Sequence, residues 1–216
     1  MNPYLVAVIW AVVGAAAGWF ARWGSVRLAH LEGLEPGHKL WQEYGPPVLS
    51  AIVFAVYALQ LTSLPVLTLR SLFALVLVQV IFFDFEHHLI LDRVIFPAMV
   101  LALLVSVFGN RVGLWSQEWW MGILMGLVAG MLFLVIALAG AAIFRAEAMG
   151  FGDVKLATFL GLLLGWPYVF SALFYGVVLA AVGAVVYIVS HRSMKGTIAY
   201  GPYLAAGALI MLLQLP

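Results

Sequence analysis

The sequence predicts an all-α, polytopic membrane helix bundle of about eight transmembrane helices, with both termini on the outer side. Three observations predict it. Of the 216 residues, 66% are hydrophobic and only 9% are charged, whereas a soluble domain is roughly 45–50% apolar and about 25% charged. Mean hydropathy is +1.13, so no soluble core of this length hides the apolar surface, and lipid is the solvent. The apolar residues fall into eight runs, and Lys and Arg lie mostly on one side of those runs.

A helix crossing the hydrocarbon core needs about 20 apolar residues. The first span reads as 3–20. No Lys or Arg precedes it, so the basic region of a secretory signal is missing, although Ala15, Ala16 and Ala17 mimic a cleavage site. Arg22 and Arg27 follow the run, which suits a retained span with its N-terminus outside. The remaining spans read as 47–64, 71–83, 89–108, 119–143, 154–165, 168–189 and 199–215. The third and sixth are short. They reach full length only if flanking polar residues, including Asp84 and Asp153, lie at or inside the membrane edge.

Odd-to-even loops then carry Arg22, Arg27, Lys39, Arg93, Arg145, Lys155, Arg192 and Lys195, eight of the ten positive charges. Arg70 and Arg111 fall on the opposite side. The positive-inside rule makes the first face cytoplasmic. Trp19, Trp23, Trp115, Trp119 and Trp120 stand near proposed membrane edges, either as an aromatic belt or as ordinary packing residues. Gly122, Gly126 and Gly130 recur at four-residue spacing, a pattern that lets helices approach closely. Internal packing is the expected use, ahead of dimerisation. The longest polar stretch, 22–44, is too short for a separate fold, so residues 1–216 read as one membrane domain. No cysteine is present, which excludes disulfides, thiol nucleophiles and cysteine-ligated metals. The near-neutral net charge of +1 gives no sign of a nucleic-acid partner.

Inner-face polar residues concentrate in two stretches. One runs from Phe82 to Arg93 and holds Asp84, Glu86, His87, His88 and Asp92. The other runs from Ala148 to Leu156 and holds Gly150, Phe151, Gly152, Asp153 and Lys155. In each, an aspartate abuts an apolar helix, where an ionisable group is costly and marks a functional candidate. Two carboxylates held close share one proton. The ionised partner takes a proton from water, and the protonated partner polarises a carbonyl and then donates to the leaving amine. That is peptide hydrolysis without a metal, a cofactor or a covalent intermediate. No Ser-His-Asp order and no phosphate loop competes with it.

Each residue also has a plainer use. Asp153 is a good N-cap for a helix starting at Val154, with the glycines making the turn. The same glycines leave backbone exposed, where a substrate strand could pair. Asp84 alone is a snorkelling or capping residue. His87 and His88 are interfacial polar groups, and Glu86 and Arg93 are solvated loop charges. Asp84, His88 and Asp92 would share a face and could hold a metal if one helix continued through them.

Gly150-Phe151-Gly152-Asp153-Val154-Lys155-Leu156 resembles the GxGD-[FV]-K-L signature of the type IV prepilin peptidases, a family of GxGD intramembrane aspartyl proteases. The stretch from Phe83 to Pro97 is similar to the family's other catalytic segment, with Leu91 where Pro is usual. Ile198-Ala199-Tyr200-Gly201-Pro202-Tyr203-Leu204-Ala205 resembles the stretch before its last span. The resemblance implies Asp84 and Asp153 as catalytic, Asp92 as a neighbour without a catalytic role, and Gly150, Phe151, Gly152 and Lys155 as substrate-binding. Residues 71–216 would form the catalytic core, and 1–70 the N-terminal spans with a short cytoplasmic loop. The implied activity is cleavage of the leader peptide of prepilin or pseudopilin precursors at the cytoplasmic face of a prokaryotic plasma membrane. The implied partners are that precursor and membrane lipid. Bifunctional members carry two CxxC pairs in the first cytoplasmic loop and also N-methylate the new terminus. With no cysteine and a short loop here, only the protease activity carries over. The same aspartates would otherwise serve a small proton-coupled transporter, and a non-catalytic scaffold of a pilus or secretion machine is the third alternative.

Overall fold

The computed structural model describes residues 2–37, 39–115, 117–144, 150–191 and 199–215. Arg145, Ala148, Met149, Arg192, Lys195 and Ile198 of the charge count and the motifs lie outside the described residues. The described residues form eight helices and no strand. They fall into two compact units, Met1–His88 and Leu89–Pro216.

The first unit holds α1 (Pro3–Leu31), α2 (Leu40–Gln60) and α3 (Leu64–His87). Asn2 caps α1 by accepting the Tyr4 N–H at 3.0 Å, and Pro3 occupies the first helical position, where no N–H is missed. α1 runs on through Arg22 and Arg27, which are therefore helical rather than loop residues. α2 also begins earlier than Pro47 and continues through Pro46 and Pro47. The Gln42 side chain closes its start, accepting the Lys39 N–H at 2.8 Å. α1 and α2 meet at small residues: a Cβ on Gly14 would strike Ser50 and Phe54, and one on Gly18 would strike Pro46, Pro47 and Ser50. α3 buries Phe73, Ala74, Leu77 and Val78 completely. Trp10 Nε1 of α1 donates to its Ser71 Oγ at 2.9 Å. Arg70 belongs to α3 and is 3% exposed beside Tyr57, which corrects its assignment to a connecting loop.

The second unit holds α4 (Asp92–Phe108), α5 (Trp119–Phe144), α6 (Phe151–Leu164), α7 (Tyr168–His191) and α8 (Gly201–Gln214). α6 is its centre, packed on α4, α5, α7 and α8. Leu156, Ala157, Phe159, Leu160 and Leu164 have no exposed surface. The glycine spacing on α5 is used internally, as expected. Gly122 and Gly126 face Leu162, Gly130 faces Thr158, and Gly161 of α6 sits on the Met125 backbone. α6 ends at Gly165, whose φ of +60° suits a residue without a side chain, and Gln117 Nε2 donates to the Leu164 carbonyl there. α7 and α8 meet at Gly176 and Gly207 in the same manner.

Four helices, α1, α3, α5 and α7, are long and apolar enough to cross a membrane by length and composition. Their outward faces are apolar: Val12, Leu127 and Val185 are each more than 60% exposed. Such surface is intolerable in water and natural in lipid. The third expected span does reach full length by taking in Asp84. The sixth does not: α6 stays at 14 residues although it includes Asp153. Of the five tryptophans expected near membrane edges, Trp19, Trp23, Trp119 and Trp120 are exposed, while Trp115 is a packing residue at 5% exposure.

Candidate active site

Asp84 lies in the last turn of α3 and is buried, at 5% exposure. Snorkelling to solvent is thereby excluded. The helix closes just beyond it. His88 takes a left-handed conformation at φ 51°, and its N–H donates to the Asp84 carbonyl at 2.9 Å. That break ends any metal set on one helix face, because α3 stops at His87 and the next helix starts at Asp92. Among the described residues no group of three His, Asp or Glu is placed to hold a metal.

Glu86, read from sequence as a solvated loop charge, is neither solvated nor in a loop. Its side chain is 3% exposed, and its Oε2 lies 2.7 Å from Arg22 Nη1, itself 12% exposed. Its Oε1 accepts the Gly37 N–H, and Arg22 Nη2 donates to the Gly37 carbonyl at 2.6 Å. Two charges leave water here only because each meets the other and a backbone group. Removing one member of such a buried pair typically costs about 3–5 kcal/mol. The His87 ring packs on Phe83 at 4.6 Å, and its Nε2 stands 3.4 Å from Glu86 Oε1. Arg93 is exposed as expected, though on the first turn of α4.

Asp153 lies in the first turn of α6, inside the helix. Gly150 holds the N-cap position, and its carbonyl accepts the Asp153 N–H at 3.1 Å. The expectation that Asp153 itself caps a helix from Val154 is therefore corrected. Its carboxylate still sits where the helix dipole favours an anion. The two glycines before it do different work. A Cβ at Gly150 would meet nothing closer than 4.0 Å, so that backbone is open, whereas one at Gly152 would stand 3.0 Å from Ile90 Cβ. Gly152 is a packing glycine. Phe151 between them is 65% exposed.

Lys155 Nζ meets Asp92 Oδ1 at 2.6 Å and stands 5.3 Å from the Phe96 ring and 5.9 Å from that of Phe151. It ties the first turn of α6 to the first turn of α4. Tyr200, just ahead of α8, has its phenol raised above the ordinary value by burial and by the Asp153 carboxylate. The second unit thus gathers Asp153, Lys155, Asp92, Phe151 and Tyr200, and the first gathers Asp84, Glu86, Arg22 and Gly37. Reasoning from sequence missed the Arg22–Glu86 pair and the Tyr200–Asp153 neighbourhood. For Tyr200 a signal existed in the stretch from Tyr200 to Pro202, the third segment of the resemblance.

Comparison with known proteins addresses the same residues. Several curated relatives are named prepilin leader peptidase/N-methyltransferase. The one from Pseudomonas putida is 33% identical over 187 residues, covering 79% of this chain and 57% of the relative. The one from Stutzerimonas stutzeri is 31% identical over 133 residues, covering 60% and 44%. The one from Bacillus subtilis (strain 168) is 28% identical over 183 residues, covering 81% and 67%. The chain spans about half the length of the first two relatives. No solved structure matches it. Residues 71–185, just over half of the chain and inclusive of both Asp84 and Asp153, match the type IV leader peptidase family, and the chain belongs to that family.

Proposed function

We propose that this chain is an intramembrane aspartic endopeptidase that removes the leader peptide of type IV prepilins or pseudopilins. The observation that carries the proposal is the family match over 71–185, which takes in both aspartates with their flanking motifs. The naming of the relatives supports the same substrate class. The transporter and scaffold alternatives draw no support from either.

In the proposed reaction Asp84 and Asp153 act as one pair holding a single proton. The ionised carboxylate takes a proton from a water molecule as its oxygen attacks the scissile carbonyl. The protonated carboxyl polarises that carbonyl and then gives its proton to the departing amine. One water is consumed, the leader leaves as a carboxylate, and the precursor keeps a new amino terminus. The open backbone at Gly150 is the docking edge for the extended leader junction, with Phe151, Gly152 and Lys155 beside it. The proposed orientation has eight spans, both termini outside and the reaction at the cytoplasmic face of a prokaryotic plasma membrane. Lipid surrounds the apolar faces and shelters the apolar segment of the precursor. No cofactor takes part in cleavage, and N-methylation is not part of the proposal, since the chain has no cysteine for the two CxxC pairs of the bifunctional members.

The test is cleavage of a pilin precursor in membranes containing the chain. Wild type is expected to shorten the precursor, and Asp84→Asn and Asp153→Asn are each expected to abolish cleavage. Full activity in both variants ends the aspartic-protease reading.

A further inference from the structure

The segment that follows α1 is held by a closed ring of three residues. Glu86 bonds Arg22 through one oxygen and the Gly37 N–H through the other, and Arg22 uses its second nitrogen on the Gly37 carbonyl. Both backbone polar groups of Gly37 are engaged, by a cation 15 positions earlier and an anion 49 positions later. The Gln42 amide packs against Gly37, where a Cβ would have to displace it. The loop 32–37 therefore lies strapped to the end of α3.

The placement of Glu86 is costly on its own terms. A carboxylate in the last turn opposes the helix dipole, and burial removes its hydration. Within the helix His87 Nε2 stands 3.4 Å from its Oε1, and its shorter bonds run to Arg22 and Gly37. What it holds is the turn that carries Asp84, two residues earlier, whose own carbonyl closes that turn through His88. The geometry points to Glu86 and Arg22 as positioning residues. Together they clamp loop 32–37 onto the last turn of α3 and hold the Asp84 carboxylate in its reactive orientation. Their role rests on the leader-peptidase reading, with Asp84 as one of the reacting acids.

The test uses the full chain in detergent with a prepilin precursor as substrate. Glu86→Gln keeps the shape of one partner, Arg22→Lys keeps the charge of the other without its fork, and each breaks the ring. A third variant, Arg22→Met with Glu86→Leu, removes both charges and leaves none buried alone, so it folds. All three are expected to lower kcat roughly 10- to 100-fold, as a small misplacement of a reacting group does. KM is expected to stay within about twofold, and the Gly37 amide to exchange its hydrogen at least about tenfold faster. A purely structural pair predicts the opposite for the double variant: folded, with wild-type kcat. That result, or unchanged exchange at Gly37, overturns the clamp. A wild-type chain that cleaves no precursor sinks the leader-peptidase reading and the positioning role together. An active wild type with an equally active double variant sinks the clamp alone.

Discussion

Lys155 has two possible employments, and the structure allows them to be separated. It is proposed to bind substrate, yet its ammonium already meets Asp92 at 2.6 Å. The perturbations are Asp92→Asn, Lys155→Met and the two combined. The side chains are 24% exposed for Lys155 and 54% for Asp92, so water screens the pair heavily. Such a pair is worth about 0.2–1 kcal/mol, which is at most roughly a fivefold factor. Asp92→Asn should therefore lower kcat/KM by no more than about fivefold. A charge-assisted bond from Lys155 to a substrate carbonyl is worth roughly 1.5–3 kcal/mol, or about 10- to 100-fold. Lys155→Met should then cost that much in wild type and nearly as much in the Asp92→Asn background. The assay is initial-rate cleavage of a purified precursor in micelles, with the cycle closed by the double variant. If all three variants lose the same factor, Lys155 acts only by tying α6 to α4, and its assignment to substrate binding is wrong.

Two further outcomes follow from the packing and from Tyr200. Gly161→Ala places a Cβ into the Met125 backbone and should destabilise the protein by about 1–3 kcal/mol. Gly24→Ala, with nothing within 4 Å, should be neutral or gain up to about 1 kcal/mol from helix propensity; heat-induced loss of folded protein in detergent distinguishes them. The Tyr200 phenol is raised by burial and by Asp153. The neutral form is thus favoured in the folded state. Stability from this group is complete below the ordinary value of 10.0 and is lost as pH climbs through the higher folded value. Tyr200→Phe should flatten that alkaline decline, and an unchanged stability profile above pH 10 would count against the burial of Tyr200 and, with it, its placement beside Asp153.

The element pattern was legible because apolar run length is a one-dimensional property. The fifth and seventh spans, 119–143 and 168–189, fall within a residue or two of α5 and α7. What was illegible was the fate of individual charges. Arg22 and Arg27 end an apolar run, and by composition they belong to a loop; the helix continues because Arg22 meets Glu86 and the Gly37 carbonyl, while Arg27 is exposed over the Trp23 ring at 3.9 Å. Glu86 looked solvated because its partner stands 64 positions away, and no local window contains that information. Arg70 is the same case at the other end of α3, adjacent to a proline-led helix start in sequence and buried beside Tyr57 in space. Asp153 was displaced by one turn because Gly150 and Asp153 are both acceptable caps, and local chemistry does not choose between them.

The shortness of α6 ties these details to the site. At 14 residues it is about 21 Å long, against about 39 Å for the 26 residues of α5 beside it. It cannot reach both ends of its neighbour, so at least one of its termini lies within the length of α5. A helix end at such depth leaves unpaired backbone groups in an apolar surrounding, which is costly unless they are satisfied. At the C-terminal end the Gln117 amide supplies a donor to Leu164. At the N-terminal end the helix dipole favours an anion, and Asp153 is on that turn. The same truncation that costs α6 its standing as an independent span thus makes a place for a carboxylate at the margin of the apolar core. α3, in turn, runs past its apolar stretch and closes at a left-handed His88, which leaves Asp84 on its last turn in the first unit. Each aspartate owes its position to a helix that ends where an apolar run alone would not have ended it, which is why the polar interruptions were better guides to the chemistry than the spans were.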